Sequence, residues 1–149
     1  MFKPGTIFSN FTPLVKSPVI GYRISGDDVL GILKKLTHKN FSKDHARIKL
    51  TKLYKKDGSV LDECSVVYFK SPKSFTGEDV CEVFLHGSPL IASQFEQTLK
   101  DLKISNLRLA KNGEFSYRSV LNSKNSLKQA KAINSIILND SFSSLEYNK

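Results

Sequence analysis

Apolar and polar positions along this chain recur with two periods. In VIGYRIS (19–25), Ile20, Tyr22 and Ile24 share one face and Val19, Gly21 and Arg23 the other, the period of two that marks a strand. Val29, Ile32, Leu33 and Leu36 then recur at i, i+3, i+4 and i+7, which predicts an amphipathic helix over Asp27 to Leu36 with acids in its first turn. Ala46, Ile48 and Leu50 alternate before KKDGS, and Val60 to Phe69 is strand-like after it. With Asp57-Gly58 as the turn, this predicts a hairpin. Ser71 to Gly77 reads as a loop and Asp79 to His86 as a further strand. Ser88 and Pro89 offer the N-cap and first position of a helix with Ile91, Phe95, Leu99 and Leu102 on its apolar face. A short strand is predicted at Leu107 to Leu109 and a turn at Asn112-Gly113. A last helix opens at Ser126, with Gln129 three residues on and Leu127, Ala130, Ile133, Ile136 and Ile137 as its apolar stripe. FTPLVKSP (11–18) reads as an irregular loop. Strands and helices intermix and the hairpin argues against a purely parallel sheet, so the expected fold is α+β, a mixed sheet with helices packed on one side.

One residue breaks the apolar pattern. If Asp79 to His86 is a strand, Glu82 stands between Val80 and Phe84 on one face, while Cys81, Val83 and Leu85 occupy the other. A strand apolar on both faces is usually buried, and a buried carboxylate is costly without a partner. Glu82 is therefore expected to pair, either with Arg23 or Arg118 inside the protein or with a ligand.

Composition narrows the class. A length of 149 residues, 40% hydrophobic and 25% charged, suits one soluble globular domain with a real core. No secretory apolar stretch follows the N-terminus and no window approaches the roughly 18 apolar residues of a membrane helix, so a cytoplasmic protein with no membrane partner is expected. Cys64 and Cys81 lack metal-ligand spacing and read as buried free thiols. The net charge of +9 is concentrated between Lys34 and Lys56, where nine Lys or Arg face the single acid Asp44. Such a stretch fits a solvated face or a contact with RNA, but no aromatic interleaving for base stacking accompanies it. Glu78 and Asp79 are expected to shape their loop, His86 to hydrogen-bond structurally, and Glu114 and Arg118 to pair along a helical turn.

YRISG (22–26), SFTGEDVCEVFLHGSP (74–89), NGEFSYRSVLNSK (112–124) and LKQAKAI (127–133) together resemble the N-terminal domain of the tRNA-modifying GTPase family called TrmE or MnmE. The resemblance runs from about Gly5 to Leu138. It implies a fold like the tetrahydrofolate-binding domain of the glycine-cleavage aminomethyltransferase and dimerisation through this domain. It also implies a bound reduced folate, 5-formyltetrahydrofolate or 5,10-methylenetetrahydrofolate, as one-carbon donor. Family members work with a flavoprotein on the wobble uridine of certain tRNAs. Carried over by motif, the folate contacts fall on Arg23, Glu82 and Lys124. Glu82 would accept from the N–H edge of the pterin, and Arg23 or Lys124 would meet anionic or carbonyl groups.

By the same resemblance, residues 1–125 form the folate-binding and dimerisation domain and 126–149 the start of a helical segment. No GxxxxGK[ST] phosphate loop and no terminal Cys-x-Gly-Lys occur in the sequence, so no GTP site, and no completed tRNA modification, is expected of this chain alone. PLVKSPVIGY stands where relatives carry a glycine-rich stretch, and Ser126 and Lys131 where they carry acids. A dimerisation or interaction module without folate binding, or a small basic RNA-binding protein, are the alternatives.

Overall fold

Nine elements follow one another in a computed structural model that describes residues 3–122 together with 126, 128 and 129. They are β1 (Ile7–Asn10), β2 (Val19–Ser25), α1 (Val29–Thr37), β3 (Ile48–Tyr54), β4 (Val60–Phe69), β5 (Val80–His86), α2 (Pro89–Asp101), β6 (Arg108–Leu109) and α3 (Glu114–Leu121). The six strands form one sheet in the order β3-β4-β5-β2-β1-β6. Every neighbouring pair is antiparallel except β1 and β6, which run parallel, so the sheet is mixed as expected.

β2 and β5 fold as their patterns predict, whereas in β3 the alternating Ile48 and Leu50 are exposed and Thr51 and Leu53 are buried instead. Ile20, Tyr22 and Ile24 of β2 are fully buried beside Cys81, Val83 and Leu85 of β5, and on this face they meet Ile32, Leu33 and Leu36 of α1 and Phe95 and Leu99 of α2. Tyr22 shows how a polar atom survives there: its ring lies 5.0 Å from that of Phe95, while its hydroxyl donates to Glu96 at 2.7 Å. The hairpin closes through Lys55 N–H to Ser59 C=O at 2.8 Å, and the register shifts between Leu53 and Tyr54.

The structure differs from the patterns at several ends. Asp27 and Asp28 lie ahead of α1 instead of inside its first turn, and Asp28 accepts the Thr6 hydroxyl at 2.9 Å. β1 went unread because four residues carry too little periodicity. α1 and α2 cover one face as expected, but α3 reaches the other, where its Phe115 ring meets Arg23 of β2. The capping pair is in place: Ser126 N–H donates to Gln129 Oε1 at 2.8 Å and Gln129 N–H to Ser126 Oγ at 3.1 Å. The remainder of that expected helix, with Leu127, Ala130, Ile133, Ile136 and Ile137, lies outside the described residues.

Candidate functional site

Antiparallel register sets Arg23 of β2 directly opposite Glu82 of β5, on the face turned away from α1 and α2. Directly opposed side chains of unlike charge attract across a sheet. Arg23 Nε and Nη2 donate to Glu82 Oε1 at 3.0 and 2.9 Å, with both side chains about one-fifth exposed. Of the two internal partners sequence allowed, Arg23 is the one realised. Both bonds fall on Oε1, and no hydrogen bond from a described residue reaches Oε2.

Three phenyl rings surround the Arg23 guanidinium, with centres 4.7 Å away for Phe75, 5.6 Å for Phe115 and 5.7 Å for Phe11. They come from the 71–77 loop, α3 and the 11–18 loop, and their negative faces stabilise a cation in a half-dry setting. The 11–18 loop lies close on the sheet because glycines admit it. A Cβ on Gly21 would stand 2.2 Å from the Phe11 ring, and one on Gly87 would overlap Ser17 C=O at 1.5 Å.

Beside Glu82 lies a cavity of about 350 Å³ lined by Phe69, Lys73, Ser74, Phe75, Val80 and Glu82. Two rings and a valine wall it, one carboxylate faces it and one ammonium flanks it, the mixture of apolar lining and few polar anchors typical of small-molecule sites. The altered 11–18 loop contributes nothing to that lining; its Phe11 goes to Arg23 and, edge-on at 5.8 Å, to Phe84. A larger hollow of about 680 Å³ opens between the N-terminal segment and α3, and within it Arg118 and Glu78 already neutralise each other. There Arg118 bonds Glu78 at 3.1 Å and Asp28 bonds Thr6, so the smaller cavity is the better candidate.

A network of charges fixes the parts that build this face. Glu78 accepts from Ser25 Oγ at 2.6 Å and from Arg118, Arg118 reaches Glu114 at 3.3 Å, and Glu114 accepts from Arg108 Nη2 at 2.6 Å. Glu114 is fully buried. Burial alone would raise its carboxyl, but the hydrogen bonds and charge of Arg108, the Lys111 amide and Arg118 outweigh it and hold the group at about 2. Glu78 and Asp79 shape their loop as expected: Asp79 Oδ1 accepts the Ser71 amide at 2.8 Å. His86 is exposed and its Nδ1 lies 2.8 Å from Asp62 Oδ1, a structural contact remote from the cavity lining. Cys64 and Cys81 are buried and unbonded. Burial pushes Cys64 up to about 12 and Cys81 higher, so neither is poised as a nucleophile.

Of the three residues singled out from sequence, Arg23 and Glu82 come together and Lys124 lies outside the described residues. Lys73, Phe75 and Phe115 were not singled out. Phe75 sits inside SFTGED, but nothing in a one-dimensional pattern says that a loop ring will cover an arginine two strands away. The basic stretch ends up dispersed over the end of α1, the following loop and edge strand β3, with Lys49 tied to Asp44 at 2.7 Å.

Fold and site thus define an α+β domain carrying a small-molecule-sized cavity beside a carboxylate braced by an arginine. The family described as GTP-binding protein TrmE N-terminus matches residues 6–124, and the chain belongs to it. Among its relatives is a tRNA modification GTPase MnmE of Helicobacter pylori (strain J99), 44% identical over 134 residues. Proteins of the same name from Rickettsia canadensis and Malacoplasma penetrans are 40% and 37% identical over 132 residues. Each alignment covers 89% of this chain but only 28% or 29% of the relative, so the chain corresponds to under a third of their length. Among the described residues no helix is long and apolar enough to cross a membrane.

Proposed function

We propose that this chain is the folate-binding, homodimerising domain of a tRNA wobble-uridine modification GTPase, with the fold of the glycine-cleavage aminomethyltransferase folate domain. The observation that carries it is Glu82: one oxygen is fixed by Arg23, the other is unclaimed by any described residue, and the residue lines a cavity with ring walls. These residues fit a reduced pterin, whose N–H donor edge needs an acceptor and whose flat body suits Phe69, Phe75 and Val80. When bound, 5-formyltetrahydrofolate or 5,10-methylenetetrahydrofolate supplies a one-carbon unit. Within the chain, Glu82 orients the donor edge, Arg23 keeps Glu82 aimed, and the apolar walls exclude water. Lys124 is assigned, from motif position, to carbonyl or anionic groups of the ligand. A flavoprotein and tRNA are the partners proposed, as the family resemblance implies.

Self-association is supported by edge strand β3, whose Ile48 and Leu50 are 75% and 67% exposed on the face shared with Glu82. Exposed apolar side chains on an unpaired edge favour contact with a second chain. Sedimentation across a concentration series is expected to show a dimer that Leu50→Lys weakens; a strictly monomeric native protein rules out this part. For the ligand, calorimetric titration with 5-formyltetrahydrofolate is expected to give binding that Glu82→Gln weakens by about tenfold or more, the scale of a charge-assisted hydrogen bond. Absence of heat from the native protein, or equal affinity in the variant, overturns the folate assignment.

A further inference from the structure

We propose that Lys73 is the specificity-determining cation of the cavity, receiving the anionic tail of the ligand whose ring Glu82 holds, an inference that rests on the folate assignment above. The mix of groups around one cavity carries it. Glu82 and Val80 lie two positions apart on one face of β5, and Phe69 of β4 stands opposite Val80. Two strand positions span about 6.6 Å. The chain leaves β4 at Phe69 and enters the loop bearing Lys73, Ser74 and Phe75, all of which line the same cavity. Lys73 and Ser74 thus reach the cavity from a loop, and Glu82 reaches it from the sheet. The one cavity holds an acceptor, apolar walls and a cation.

That set of groups selects a ligand with a donor edge, a flat body and an anion. Arg23 does not serve the last purpose, because its Nε and Nη2 are turned to Glu82, three rings pack around its guanidinium and it is absent from the lining. The Lys73 ammonium is exposed and forms no ion pair with a described acid. Its backbone is fixed in advance: Lys73 N–H donates to Lys70 C=O at 2.9 Å, Ser74 N–H to Pro72 C=O at 2.9 Å, and Ser71 Oγ to Gly77 C=O at 2.9 Å. Only the side chain is left to order on binding, which lowers the entropic cost of a tail contact.

The test is calorimetry on the full chain at low salt with two probes, 5-formyltetrahydrofolate and the tail-less 6-methyltetrahydropterin. An exposed charge pair is modest, so Lys73→Ala is expected to weaken the tailed probe about three- to fivefold and Lys73→Glu about tenfold. Lys73→Arg should stay close to native, the tail-less probe should be unaffected by all three, and the losses should shrink as salt is raised. Unchanged affinity for the tailed probe in both Lys73→Ala and Lys73→Glu overturns the assignment while leaving the folate site standing. Equal losses for both probes overturn it too, because the lysine would then be supporting the loop and not reading the tail. No binding of either probe to the native protein removes the folate site and this inference together.

Discussion

On the face covered by α1 and α2, β2 and β5 present Ile20, Tyr22, Ile24, Cys81, Val83 and Leu85 to a dry apolar cluster. On the opposite face the same two strands present Arg23, Ser25, Val80, Glu82 and Phe84. Buried apolar side chains there, Ile7, Val67 and Val80, lie outside the main cluster, and the loops and α3 are fastened over them by ions and hydrogen bonds. One face is stabilised by removing apolar area from water, which is non-directional and insensitive to pH. The other is stabilised by directional charge contacts, which position a cavity to within a hydrogen-bond length and depend on protonation. The proposed binding site lies on the second face, where Glu82 Oε2 is unclaimed by any described residue.

Three substitutions sharpen that contrast. The largest effect is expected from Phe95→Ala on the covered face, a fully buried ring whose loss should cost about 3–5 kcal/mol in urea denaturation, equally at pH 7 and pH 4. Next comes Glu114 on the charged face. Its folded carboxyl titrates at about 2, below its usual 4.5, so its stabilising contribution is full above about pH 4.5 and is lost as pH falls toward 2. Glu114→Gln is expected to cost about 2–3 kcal/mol at pH 7, and to flatten the acid limb of a stability-against-pH curve. An unchanged acid limb would break the distinction between the faces. The smallest loss is expected from Arg23→Lys, which keeps the charge but neither the paired donors nor the flat group packed among Phe11, Phe75 and Phe115. About 1 kcal/mol by chemical denaturation is the expected scale, with ligand affinity falling alongside because Glu82 is aimed less well.

Much of the covered face was legible in advance. The alternation in VIGYRIS and the i, i+3, i+4, i+7 spacing of Val29, Ile32, Leu33 and Leu36 are local records of which side is dry, and β4 spans the predicted Val60–Phe69. The charged face was legible only in part. That Glu82 needs a partner follows from its apolar neighbours, but choosing Arg23 over Arg118 required the β2–β5 register, which brings together residues 59 positions apart. Arg118 is taken instead by Glu78 and Glu114. Phe75 and Lys73 carry no periodic signature, because loop side chains are placed by what they meet and not by a repeating backbone, and the eight residues of α3 are too few to mark which ring, Phe115, would reach Arg23.

Sequence by itself determined the family, the α+β class and the core faces of β2, β5, α1 and α2, since side-chain periodicity and motif order are properties of neighbouring residues. Tertiary structure alone decided which arginine braces Glu82, that its second oxygen is unclaimed by described residues, and that Lys73 shares a cavity with it. Those are distances between segments remote along the chain, and they exist only once strand register and loop docking bring the segments together.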